Sequence, residues 1–150
     1  MTPIRVFHVR PDCRSRLRLR VEIFRTTTEF RQAIRAEDRA FGRQPIRIRG
    51  LVGACTGVTE RHQGRIADLF AIVRLPRRHL TMSTITHEAF HATLRWAARQ
   101  QIPAIPTAGG PSNLHTAGRA VSVEERCAII HDTICRKIVW NLNRFKLLPK

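Results

Sequence analysis

The chain has 150 residues, 43% hydrophobic and 25% charged, a balance that suits one globular domain with a real core and excludes a disordered or fibrous chain. Lys and Arg total 27 against 11 Asp and Glu, a net charge of +16, so a basic surface open to acidic partners, nucleic acid above all, is expected. No run approaches the roughly 18 apolar residues of a membrane span, and the opening MTPIRVFHVRPDCRSRLRLR interleaves charge too closely for a signal peptide; the expected location is the cytoplasm, with no membrane partner.

Residues 1–16 are expected to form a loosely ordered N-terminal segment of a single domain spanning 1–150. Residues 17–25 read as a strand, because Leu17, Leu19, Val21 and Ile23 alternate inward while arginines face out. A helix follows, opened by the capping box Thr26-x-x-Glu29 and closed near Gly42. IRIRGLVGACTG (46–57) reads as a second strand weakened by Gly50 and Gly53, and RIADLFAIVRL (65–75) as a third. A helix is expected over about 82–100, a Pro- and Gly-rich loop over 101–118, and a last helix over about 121–145. The order β-α-β-β-α-α is an α+β arrangement.

Cysteine use fits a reducing compartment. Cys13, Cys55, Cys127 and Cys135 make no C-x-x-C pair, and 127 and 135 lie too far apart along one helix for an easy disulfide. Of the basic residues 24 are arginine, 13 of them in the first fifty positions. The same excess arises from an arginine-biased composition that merely solvates the surface, and a chain without tyrosine and with few aromatics lacks material for base stacking.

Chemistry concentrates in TMSTITHEAFHATLRWAARQ, where His87, Glu88 and His91 form His-Glu-x-x-His. On a helix wheel Ile85, Ala89, Ala92 and Trp96 make one stripe, and His87, His91, Leu94 and Ala98 fall nearly opposite. The helix is therefore expected to be buried on both faces, with the histidines turned to the interior or a cleft. Imidazoles four residues apart reach one ion, zinc held by neutral histidine lowers the pKa of water, and Glu88 is placed as general base and then acid. Seven histidines and seven glutamates in 150 positions would give the motif by chance in about one such chain in 75.

Two ligands need a third. The pattern H-E-x-x-H-x-x-G-x-x-H is excluded, because Leu94 and Ala97 stand at its glycine and third histidine. A carboxylate from the last helix remains, and VSVEERCAIIHD supplies Glu124 and Glu125. With HEAFH and EERCA the chain resembles the gluzincins, in particular the minimal single-domain zinc metallopeptidases found on phages and mobile elements. The resemblance covers residues 17–145 in element order. It implies a zincin-like fold, a small, mostly antiparallel three-stranded sheet packed on the motif helix and a glutamate-bearing helix. It also implies a Zn2+ cofactor, a peptide or protein substrate held extended along ADLFAIVRL as the cleft-edge strand, and a glutamate ligand followed three positions on by a small residue.

Glu125, with Ala128 at that position, fits better than Glu124, with Cys127. Ser122-x-x-Glu125 is also a capping box, which would leave Glu124 as the ligand. His115 would make a three-histidine site, although NLHTAG lacks the glycine that usually follows. No tyrosine is present to stabilise an oxyanion; His115 and His131 are the candidates, and Asp132 is a distant candidate to orient a ligand histidine. His8, His62 and His79 read as ordinary histidines. The expected function is a zinc metallopeptidase with His87, His91 and Glu125 on the metal and Glu88 as proton shuttle. Its rival is an arginine-rich nucleic-acid-binding or phage-associated protein with a structural metal, or an inactive zincin site.

Overall fold

The structure is a computed structural model that describes residues 2–13, 16–40, 42, 50–58, 68–100, 102 and 123–148. The alternation of Leu19, Val21 and Ile23 produces strand β2 (Arg18–Phe24), with all three side chains fully buried. It pairs antiparallel with β1 (Arg5–Val9) and parallel with β4 (Leu69–Pro76), and β4 pairs antiparallel with β3 (Ala54–Gly57). The strand order is β1-β2-β4-β3.

The α+β class stands, but the sheet has four strands and is mixed, where three mostly antiparallel strands were expected. Residues 5–9 are a strand rather than loosely ordered, because Phe7 and Val9 alternate onto the core face in register with Val21 and Leu19. The parallel pair arises because β2 and β4 are joined through a helix, the crossover that parallel strands require. With β2 on one side and β3 on the other, β4 is an inner strand and not the sheet edge that the family resemblance implies for ADLFAIVRL. The end strand is β3, shorter than the 46–57 expected; residues 46–49 lie outside those described.

Helix α1 (Thr27–Ala40) carries the expected capping box. Glu29 N–H donates to Thr26 Oγ1 and Thr26 N–H to Glu29 Oε2, both at 3.1 Å, and Gly42 follows at φ 61. Phe30 and Ile34 pack with Phe24 on one face of the sheet. That face also carries a charged chain. Arg74 Nε donates to Glu22 at 2.9 Å, its other nitrogens donate to Glu37 at 2.8 and 3.3 Å, and Arg20 pairs with Glu22 at 2.7 Å.

The opposite face holds the main core under α2 (Met82–Arg99) and α3 (Val123–Arg144), which pack on each other. Phe7, Leu19, Val21, Val73 and Leu75 meet Ile85, Ala89, Trp96, Ile134 and Ile138 there. No helix among the described residues is long and apolar enough to cross a membrane. All four cysteines are free; Cys127 is buried, Cys55 and Cys135 half-buried and Cys13 exposed.

Candidate metal centre

Helix α2 begins directly after β4, through a single 3-10 turn at Arg77–His79, and Thr81 caps it by accepting the Thr84 N–H at 3.2 Å. The stripe Ile85, Ala89, Ala92 and Trp96 is fully buried on the sheet, as its spacing requires. The second face is not buried as expected. His87 and His91 are exposed, as are Phe90 and Leu94, while Glu88 from the supposed polar edge is only 4% exposed. One face of α2 therefore meets the core, and the histidines sit at the rim of a cleft.

His87 Nε2 and His91 Nε2 lie 3.2 Å apart, with the rings nearly perpendicular. Two nitrogens bound at about 2.0–2.1 Å to one tetrahedral zinc would lie about 3.3 Å apart, so the pair fits two ligand positions of one ion. Burial, helped by the charges of His87 and Arg95, holds His91 below the ordinary imidazole pKa, which keeps a lone pair free for a metal at neutral pH.

Glu88 is the buried member. Burial pushes its carboxyl above the usual range, against a smaller opposing effect of His87, and its Oε2 has no hydrogen-bond partner among the described residues. A buried carboxylate oxygen left without a donor is costly, and next to two convergent imidazoles it suits a group that exchanges a proton with water or substrate.

Strand β3 makes room for this arrangement. Cys55 pairs with Val73 and Gly57 with Ala71, so 53, 55 and 57 share the face turned to α2. A Cβ on Gly53 would lie 2.7 Å from Glu88 Oε1, and one on Gly57 would lie 2.9 Å from Arg95 Cδ. The glycines are there for close approach of strand and helix. Cys55, between them, is pushed up to about 12 by burial and then by the Glu88 charge.

A cavity of about 280 Å3 joins the parts. His87, Glu88, His91 and Arg95 line it from α2, residues 51 and 53–56 from β3 and its approach, and Ile34, Glu37 and Asp38 from α1. Asp38 is 3% exposed with Oδ2 unpartnered among the described residues, and sequence reading passed over it. The signal was the four-residue progression Phe30, Ile34, Asp38, which carries a carboxylate onto a buried stripe.

The remaining candidates are more scattered. Among the described residues no group of three His, Cys, Asp or Glu is placed to hold a metal ion. Glu125 is exposed in the first turn of α3, in helical phase with exposed Ile129, Asp132 and Arg136. By helical spacing alone position 124 is in phase with Cys127 and His131; its side chain, like Ser122 and His115, lies outside the described residues. His131 donates from Nε2 to the Thr86 carbonyl oxygen at 3.2 Å and lines a separate, mostly apolar cavity with Cys135 and Trp140. Asp132 pairs with Arg136 at 2.7 Å. His8 and His79 stand away from the cavity, and His62 is not described.

Compared with protein-family models, with curated proteins and with solved structures, the chain finds no match in any of the three.

Proposed function

We propose that the chain is a zinc-dependent metallopeptidase of the gluzincin type. The observation that supports this is the joint placement of His87 and His91, with nitrogens 3.2 Å apart, beside the buried, unpartnered oxygen of Glu88. His87 and His91 would hold the ion, with a glutamate from the first turn of α3 as third ligand. The resemblance favours Glu125 and helical phase favours Glu124. Bound there, zinc would act as a Lewis acid that lowers the pKa of water and polarises a peptide carbonyl.

The chain's own groups do the rest. Glu88 Oε2, held in a poorly solvated site, takes the proton of the attacking water and delivers it to the leaving amine. Arg95 is the cationic group of the cavity wall and would balance charge developing on the carbonyl oxygen, the task for which the chain has no tyrosine. β3, the end strand of the described sheet, offers an edge along which an extended peptide can lie.

The test is zinc content by elemental mass spectrometry on protein without a histidine tag. Wild type is compared with His87→Ala, Glu124→Ala and Glu125→Ala, followed by hydrolysis of a mixed peptide library. About one zinc per chain, lost in His87→Ala and in one of the two glutamate variants, supports the reading and names the third ligand. No zinc after loading sinks it. The net charge of +16 favours a second reading, nucleic-acid binding, which predicts DNA affinity that falls steeply with salt and is indifferent to Glu88→Gln.

A further inference from the structure

We propose that the cavity beside His87, Glu88 and His91 seats a cationic side chain of the substrate, arginine in preference to lysine, and that Asp38 is the residue that reads it. The proposal rests on the peptidase reading for its substrate class and on Asp38 for its chemistry.

Glu37 and Asp38 are consecutive and line the same cavity, yet their situations differ. Glu37 is fully engaged, receiving two hydrogen bonds from Arg74 at 2.8 and 3.3 Å and one from the Thr56 hydroxyl at 3.2 Å. Asp38 is as buried as the apolar residues before it on the helix, 3% exposed against 0% for Phe30 and 4% for Ile34. Its Oδ2 has no partner, and it makes no ion pair among the described residues. An aliphatic residue would continue the Phe30–Ile34 stripe at no electrostatic cost, whereas a buried carboxylate without a counter-charge is expensive. A carboxyl group kept there at a cavity wall, with Oδ2 unpartnered among the described residues, is explained by a partner that arrives from outside.

That partner is an organic cation, the charged group that a peptide substrate itself brings to the cavity. A guanidinium is the better fit, because it is more weakly hydrated than an ammonium and offers a planar pair of donors to one carboxylate. Ile34 and Leu51 in the wall suit the aliphatic stem of such a side chain. At about 280 Å3 the cavity is slightly below the range of drug-sized ligand sites and matches one long side chain. The layout also asks for length. α1 packs on one face of the sheet and α2 on the other, so a residue bound at His87 and His91 must reach past β3 to meet Asp38.

The experiment digests two randomised peptide mixtures with the zinc-loaded protein, identical except that one contains arginine and the other its uncharged isostere citrulline. Cleavage sites are read by mass spectrometry. The arginine mixture is expected to be cleaved about tenfold faster or more, the worth of a hydrogen-bonded charge, with arginine at one fixed position from the cleaved bond. Asp38→Asn should bring the two mixtures close to parity. Equal cleavage by wild type, or an arginine preference that survives Asp38→Asn, overturns the proposal. Should Asp38→Asn fail to fold, the arginine-to-citrulline ratio of wild type decides alone.

Cleavage of neither mixture is a failure of the peptidase reading, and the seat is then judged separately. The zinc-free protein is titrated with N-acetyl-arginine methylamide and with its citrulline counterpart, observing the backbone amides of Gly53 and Cys55. Saturable shifts with the arginine probe alone keep the seat, and their absence removes it.

Discussion

The carboxylate of Glu88 rests on the bare Cα of Gly53, with so little room that a single added carbon would sit 2.7 Å from Oε1 and 2.8 Å from Cγ. Gly53→Ala should therefore push the Glu88 side chain out of place without touching either imidazole. Peptide hydrolysis is expected to fall at least about tenfold, and stability by about 1–3 kcal/mol from overpacking, with zinc content unchanged. Full activity in a folded Gly53→Ala protein would show that Glu88 need not stay where it is.

Glu88→Gln keeps the shape and removes the carboxyl group proposed to shuttle the proton. Hydrolysis should drop about 10²- to 10⁴-fold, the usual contribution of a positioned acid–base group, while elemental mass spectrometry still finds zinc. The unpartnered buried oxygen implies that thermal stability is preserved or raised. A variant that unfolds would instead mark Glu88 as a structural residue.

Arg74 is buried between two carboxylates, holding Glu22 at 2.9 Å and Glu37 at 2.8 Å. Arg74→Ala leaves buried Glu22 with Arg20 as its remaining ion pair and Glu37 with the Thr56 hydroxyl, and should cost up to about 3–5 kcal/mol in urea unfolding. Arg74→Lys should recover only part of this, because an ammonium cannot serve both acids in the plane of a guanidinium. A loss below about 1 kcal/mol would mean that the network is energetically idle.

The Cys55 thiol, raised by burial and by Glu88 to about 12, remains protonated in the folded protein when an unfolded thiol has already ionised. The unfolded state then binds fewer protons, so stability is intact below the ordinary thiol range, near pH 9, and falls as pH rises from there towards 12. Cys55→Ala should flatten part of that decline in denaturation curves taken across this window. At neutral pH an alkylating reagent should label exposed Cys13 far faster than Cys55. Rapid labelling of Cys55 in the native state would contradict its burial.

Local patterns were legible wherever one residue class repeated with one period. Leu19, Val21 and Ile23 announced β2, Thr26 and Glu29 announced the start of α1, and the stripe from Ile85 to Trp96 announced the core face of α2. β1 was missed because charged residues flank the short Val6–Val9 run, and only its register with β2 makes Phe7 and Val9 core residues. The parallel pairing of β2 with β4 depends on which strand a crossover returns to, and local periodicity does not encode that. On α2 the wheel placed Glu88 on a polar edge and the histidines towards the interior or a cleft. The histidines do stand at a cleft, exposed on its rim, whereas Glu88 is buried, because the end strand comes down on it at a glycine. Asp38 was readable in principle, as the third member of a four-residue progression whose first two members are Phe30 and Ile34.

Three alternate positions on and just before the end strand, Gly53, Cys55 and Gly57, put a single thiol between strand and helix. The gap between them is therefore set by almost nothing, and one methyl group is the smallest unit by which it can be widened. A cleft built this way has a coarse adjustment. If the proposed activity holds, changes of specificity are easier to make from the α1 wall, at Ile34 or Asp38, than from the strand, where the smallest available step already reaches the Glu88 carboxylate.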